Sequence, residues 1–154
     1  MGVLDVASPR PARAHNEPSD NKERKMAHPN EDLLRRGYEA FATGDIDRVL
    51  SVLSHDIAWH AGGSNQTSGE YHGHQEVVGF FVKLMELSGG SFRLDVHDIL
   101  ANDTHGTVLA TAHGERDGQQ LAVREVNIWH LADGKATEFW AFAEDQAAVD
   151  RFFS

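Results

Sequence analysis

The chain has 154 residues, 14 Lys and Arg against 24 Asp and Glu, a formal charge of -10 and no cysteine. That length predicts one domain, or one domain with a tail, around a single moderate core; the absence of cysteine excludes disulfides, thiolate nucleophiles and cysteine-held metals. The acidic balance disfavours nucleic-acid phosphates and anionic membrane surfaces, so no nucleic-acid and no membrane partner is predicted, and a neutral or cationic small molecule is the easier ligand.

No apolar run approaches the roughly 20 residues that a membrane-spanning helix needs, and the first residues lack the apolar core of a secretory signal. A cytoplasmic location is the default expectation. All four prolines (Pro9, Pro11, Pro18 and Pro29) lie at or before residue 29, in a charged, non-periodic stretch with the composition of a disordered tail. Met26 is an alternative start, which would make that tail an extension. A domain is predicted over residues 30–154.

Within it, Asn30 stands at an N-cap position, followed by Leu33, Leu34, Tyr38 and Phe41 at helical spacing and by Gly44 as a stop. Asp45 caps a short second helix with Ile46, Val49, Leu50 and Leu53 as its apolar stripe. A short strand, Ile57 to His60, opens into a Gly/Ser/Asn-rich loop. A third helix runs from about His74 to Leu87, with Val77, Val78, Phe81, Leu84 and Met85 inward, and Gly89-Gly90 ends it.

From Ser91 the apolar period changes to two. Phe92, Leu94 and Val96 alternate with polar residues, as do Val108, Ala110 and Ala112, and Asp117-Gly118 marks a turn into Leu121, Val123, Glu125, Asn127 and Trp129. Asp133-Gly134 is a second hairpin signal before a strand from about Lys135 to Ala143. A helical turn, Asp145 to Phe153, closes the chain. The order predicts an α+β fold: a cone-shaped, curved, mostly antiparallel sheet wrapped around three N-terminal helices, with a short C-terminal helix. The open mouth of such a cone is the expected pocket.

The segments LLRRGYEAFATGDIDRVLSVLSHDIAWH, SGEYHGHQEVVGFF and VNIWHLADGKATEFWAF resemble the nuclear-transport-factor-like superfamily, in its SnoaL-like and ketosteroid-isomerase-like branch. The resemblance covers roughly residues 30 to 154. It implies the cone fold and leaves the function open, because this superfold carries isomerases, cyclases, hydrolases, dehydratases and binding modules. In ketosteroid isomerases a carboxylate base ends the first strand, and a Tyr with a protonated Asp forms the oxyanion hole. Counted from Gly44-Asp45, the base position falls on Ala61 and the Tyr position on Gly37, next to Tyr38. Counted from Asp133-Gly134, the Asp position falls on Asn127, and the aspartate of limonene epoxide hydrolases aligns near Ala141. Neither catalytic set is intact.

Strand phase supplies the remaining candidates. If Asn127 faces the cavity, Val123, Glu125 and Trp129 do too, and registration across Gly118 adds Val108, Ala110, Ala112 and Arg116. His60 is a candidate base with an intrinsic pKa near ~6.5. A one-residue bulge at the strand end would turn it inward, whereas strict register puts Trp59 and Ala61 on one face and His60 on the other. Trp59 is a pocket-wall candidate, and Tyr71 a hydroxyl at the mouth. His60, His72 and His74 suggest a metal, but Gly73 separates the last two and no carboxylate stands at ligand spacing, so no metal is predicted.

His97, His113, His130, Arg124 and Glu115 fall on the opposite face with Leu109, Val126 and Ile128, and this partly apolar outer face predicts a homodimer. Two function classes follow. One is an isomerase-, cyclase- or hydrolase-like enzyme moving a proton on an apolar oxygenated molecule, with His60 or Glu125 as base and Asn127 or Tyr71 donating to the oxyanion. The other is a non-catalytic binding module using the same cone. No glycine-rich phosphate loop or nucleophile elbow is present, so no cofactor is predicted.

Overall fold

The computed structural model describes residues 27–154. Most of the predicted tail, residues 1 to 26, and the alternative start at Met26 lie outside the described residues. Helix α1 spans Pro29–Ala42, and its N-cap is His28. The difference from the expected Asn30 follows from Pro29, which has no N–H to satisfy and a fixed φ suited to the first helical position. His28 Nδ1 accepts the Asn30 N–H at 3.0 Å, and the Asn30 side chain instead donates to the Asn102 carbonyl at 2.9 Å.

Gly44, at φ 73°, ends α1. Helix α2, Ile46–Val52, is capped as expected by Asp45, whose carboxylate accepts from the Arg48 N–H at 3.1 Å. Strand β1, Leu53–Ala61, follows directly. Part of the predicted loop forms a short strand β2, Gly69–His72, whose Tyr71 lies opposite Trp59. Helix α3, Gly73–Leu87, buries Val77, Phe81 and Leu84; its N-cap is His72, while His74 lies in the first turn and contacts the Leu53 carbonyl through Nε2 at 3.0 Å.

Strands β3 (Arg93–Ala101), β4 (His105–Arg116), β5 (Gln119–Ala132) and β6 (Lys135–Ala143) form the meander, and α4 (Gln146–Phe152) closes the chain. Both hairpin signals hold. Asp117 and Gly118 have φ 50° and 79°, and Asp133 and Gly134 have 51° and 72°, the two positive values that a type I′ turn demands. The six-stranded sheet has the order β2-β1-β6-β5-β4-β3. Only β1 and β6 pair in parallel.

Register breaks at Val96/Asp98 and at His130/Leu131 bend the long strands. The sheet therefore curves around α1 and α3, giving the α+β cone. Leu34 of α1 sits so close to β4 that a Cβ on Gly106 would lie 2.4 Å from its Cδ1. One apolar cluster joins α1, α2, α3 and β1 to the sheet centre, and a second gathers Leu84, Leu121, Val123, Phe152 and Phe153 near α4. Among the described residues, no helix is long and apolar enough to cross a membrane.

Candidate functional site

Between α1, α3 and the concave face of the sheet lies a cavity of about 150 Å³. An apolar void of that size takes up a single-ring hydrocarbon in other proteins. Its wall is aromatic: Trp59 stacks on Phe139 with ring centroids 3.8 Å apart and meets Phe81 and Trp129 edge-on at 5.4 and 5.6 Å. Set into that wall is one connected polar group. Trp129 Nε1–H donates to the Tyr38 hydroxyl at 3.0 Å, the hydroxyl donates to Asn127 Oδ1 at 2.5 Å, and Asn127 Nδ2 donates to Glu125 Oε1 at 3.0 Å.

Each member is placed by an ordinary local rule. Glu125, Asn127 and Trp129 alternate on the inward face of β5, where Asn127 lies opposite Val108 and Ala141. Tyr38 belongs to the inward stripe of α1, and its ring meets Trp129 edge-on at 6.1 Å. Every bond in the chain is oriented toward the Glu125 carboxylate. Asn127 is 1% exposed and so depends on these partners for its hydrogen bonds.

Burial sets the electrostatics. Loss of solvent raises the Glu125 pKa from its ordinary value, a shift only partly opposed by the Asn127 hydrogen bond. Burial also pushes Tyr38 well above its usual value, with the Trp129 hydrogen bond pulling down and the Glu125 charge adding to the rise. Tyr38 therefore stays a neutral donor near pH 7. Among the described residues, no Lys, Arg or His lines the cavity. Among the described residues, no group of three or more His, Asp or Glu has the arrangement to hold a metal ion.

A SnoaL-like domain model matches residues 34–139, a span that holds the whole polar chain. The chain belongs to the SnoaL-like domain family. An uncharacterized protein of Mycobacterium tuberculosis is 29% identical over 125 residues, covering 80% of this chain and 95% of that one. The crystal structure of a protein of unknown function with a cystatin-like fold from Xanthomonas campestris is 30% identical with a TM-score of 0.76, covering 80% of this chain and 96% of the other. Bal32a, from a soil-derived mobile gene cassette, superimposes with a TM-score of 0.79 at 24% identity, over 83% of this chain and 98% of that one, which speaks for the fold alone.

In this SnoaL-like chain, five of the predicted site residues line the cavity: Trp59, Ala112, Glu125, Asn127 and Trp129. Val108, Ala110 and Val123 share the inward face but are packed away from it, at 0%, 1% and 5% exposure. Arg116 has another task, donating from Nη1 to the carbonyls of Phe152 and Ser154 at 2.7 and 2.8 Å. Tyr71 does not line the cavity; its hydroxyl donates to the carbonyl of Thr67, a residue at the cavity's end, at 2.8 Å.

His60 lies on the outer face. The register at the end of β1 is strict, Trp59 against Phe139 and His60 against Trp140, and the shift between β1 and β6 falls earlier, between Leu53 and Ala58. No bulge turns the imidazole inward. Its Nε2 meets Glu138 Oε2 at 2.7 Å, its Nδ1 meets Glu70, and the ring stacks on Trp140 at 4.8 Å. The catalytic candidate His60 is thus separated from Glu125 and Asn127 by the sheet itself.

One end of the cavity is bounded by Gly62, Asn65 and Thr67 of the 62–68 loop and by Gln146 of α4. Asp150 ties the two together, accepting from Asn65 Nδ2 at 2.7 Å, the Ser64 N–H at 3.0 Å and Gln146 Nε2 at 3.1 Å. The Asn65 bond is the main cause of a lowered Asp150 pKa; loss of solvent opposes it, and the Gln146 and Ser64 bonds add to the lowering. A glycine is required at position 63, where φ is 84° and a Cβ would lie 2.2 Å from the Asp150 carboxylate.

The raised Glu125 pKa has a sign that can be measured. A folded-state pKa above the unfolded value stabilises the fold while the group is protonated, and that stability is lost as pH rises through the folded pKa. Glu125→Gln keeps an oxygen for the Asn127 amide and removes the half-buried charge. Its melting temperature is expected to exceed the wild type's at pH 7, with the gap closing as pH falls below the usual carboxylate range of about 4.3. Equal or lower stability at pH 7 would show that burial does not burden this carboxylate.

Proposed function

We propose that the protein takes up an uncharged, oxygenated ring compound in the cone cavity and moves a proton on it, with Glu125 as the base. The observation that carries this reading is Glu125 itself: a half-buried carboxylate in an aromatic cavity, with one oxygen held by Asn127 and no hydrogen bond to the other among the described residues. A raised pKa brings a carboxylate closer to the working range of a general base. The absence of any cation in the lining leaves an anionic ligand without a counter-charge, so neutral compounds are selected.

The chemistry balances without an added cofactor. The free Glu125 oxygen removes a hydrogen from carbon beside a carbonyl; the C–H electron pair forms the enolate C=C, and the carbonyl π pair moves to oxygen. Return of the proton at the same or another carbon completes an exchange or an isomerisation. Asn127 and Tyr38 are positioning residues here, since both are committed to the chain that orients the carboxylate. His60 has no part in this step.

A simple carbon acid tests it. The wild type is expected to speed exchange of the α-hydrogens of 2-indanone in D₂O, followed by NMR, with Glu125→Gln slowing the protein-dependent rate by about 10²-fold and His60→Ala leaving it unchanged. Saturable binding of 2-indanone with exchange no faster than in buffer would favour the non-catalytic binding module.

We also propose that the protein is a homodimer through the outer sheet face. Leu109, Val126 and Phe142 lie side by side across β4, β5 and β6, and Leu109 and Phe142 are 37% and 59% exposed. A row of this kind is covered in many sheet proteins by a second copy. In analytical ultracentrifugation the wild type is expected to sediment as a dimer and Phe142→Glu as a monomer; a monomeric wild type would refute the proposal.

A further inference from the structure

The outer face of the sheet carries a cluster of ionisable side chains that the proton-transfer step does not use. His60 of β1 lies across from Glu70 of β2 and Trp140 of β6, and His130 of β5 lies across from Glu138 of β6. Glu138 stands between the two imidazoles: Oε2 is 2.7 Å from His60 Nε2 and Oε1 is 3.4 Å from His130 Nδ1. Glu70 meets the other ring nitrogen of His60. Trp140 fills the middle, stacked on His60 at 4.8 Å and met edge-on by His130 at 4.8 Å. His105 of β4 packs edge-on against His130 at 4.9 Å, and His72 of β2 lies on the same face, opposite Ala58.

This cluster adjoins the apolar row. Glu138, Trp140 and Phe142 alternate on the outer face of β6, opposite His130, Ile128 and Val126 of β5. A second copy that covers Phe142 therefore reaches Trp140 and the groups around it. On the other side of the row lie Arg124 with Glu144, and Arg93 and His113 with Asp95. The face thus carries both signs of charge, which suits contact with its own copy across a two-fold axis.

The charges set the sign of a pH response. With both imidazoles neutral, the group of His60, His130, Glu70 and Glu138 holds two negative charges, which a dimer would bring together from both copies. Protonation of the two imidazoles cancels them. In the free protomer water screens these charges, since Glu138 is 32% and His60 24% exposed. Once the face is covered, the carboxylates gain more from a protonated imidazole, because attraction rises as water is excluded and an unpaired buried charge is costly. Association then takes up protons from solvent, and histidine is the side chain whose ordinary titration falls between pH 5 and 8. We infer that the His60–Glu138–His130 cluster makes assembly of two copies pH-dependent, the dimer tightening as pH falls from 8 to 6. This rests on the homodimer proposed above and assigns its regulation.

The test is sedimentation equilibrium of the full chain at pH 6.0 and 8.0, at constant ionic strength. The wild-type dimer is expected to have a Kd at least about tenfold lower at pH 6.0. Repulsion between two acidic chains also eases as pH falls, so variants separate the cluster from the rest of the surface. His60→Gln combined with His130→Gln keeps polar side chains that cannot charge, and should bring the ratio of the two Kd values close to one. Glu138→Gln gives an independent reading: it should tighten the dimer at pH 8.0, where the carboxylate is uncompensated, and lose the further gain at pH 6.0. A wild-type Kd equal or higher at pH 6.0, or a ratio unchanged in the double-histidine variant, would overturn the role of the cluster while leaving the homodimer intact. A wild type that is monomeric at both pH values would overturn the homodimer together with this inference.

Discussion

A carboxylate drawn partly out of water is the constraint on which the rest of this structure turns. Desolvating such a group costs free energy unless partners compensate, and here the compensation is a directed chain, Trp129 to Tyr38 to Asn127 to Glu125, joining α1 to β5. The chain requires β5 to hold its register and α1 to present Tyr38 at one rotation about its axis. Leu34 seated over Gly106 secures that rotation from the far side of the helix's contact with the sheet. A packed apolar residue in place of Glu125 would serve stability better, which is why its presence points to chemistry.

Much of this arrangement was legible in the amino-acid sequence. The change from a helical period to a period of two at Ser91, and the Asp-Gly pairs at 117–118 and 133–134, define the meander, because positive φ at two successive positions is tolerated by few residue types. Phase alone puts Glu125, Asn127 and Trp129 on one face. Tyr38 was also readable, since a polar tip on an inward helical stripe needs a partner, and it stands one residue from Gly37, where the isomerase Tyr position falls. Phase could not say how deep along the inward face the cavity extends. Val108 and Val123 point the right way but belong to the packed clusters beneath the helices, and Ala110 is buried at 1% exposure without lining the cavity.

Other features depend on contacts that no local pattern announces. Strand β2 has only four residues, too short for a readable alternation, and forms because β1 offers it an edge. The fastening of the 62–68 loop to α4 rests on Asp150, more than 80 residues away in sequence from its partners Ser64 and Asn65. Among the described residues, the histidines lie around the cavity and not in its lining. His60 and His130 share Glu138 on the outer face, and His113 meets Asp95 there at 2.9 Å. Imidazoles on that face meet carboxylates of the outer surface, and the cavity is left to a carboxylate and aromatic donors.

The ionisation of Glu125 in place is the most direct measure of this account. With ¹³C-labelled glutamate, the Glu125 carboxyl signal can be assigned by its absence in Glu125→Gln and followed by NMR through a pH titration. A midpoint above the ordinary glutamate value of about 4.3, set apart from the other glutamates, is the result that burial in the cone predicts. A midpoint at or below that value would mean that the carboxylate is solvated, and the proposed base would lose its physical foundation.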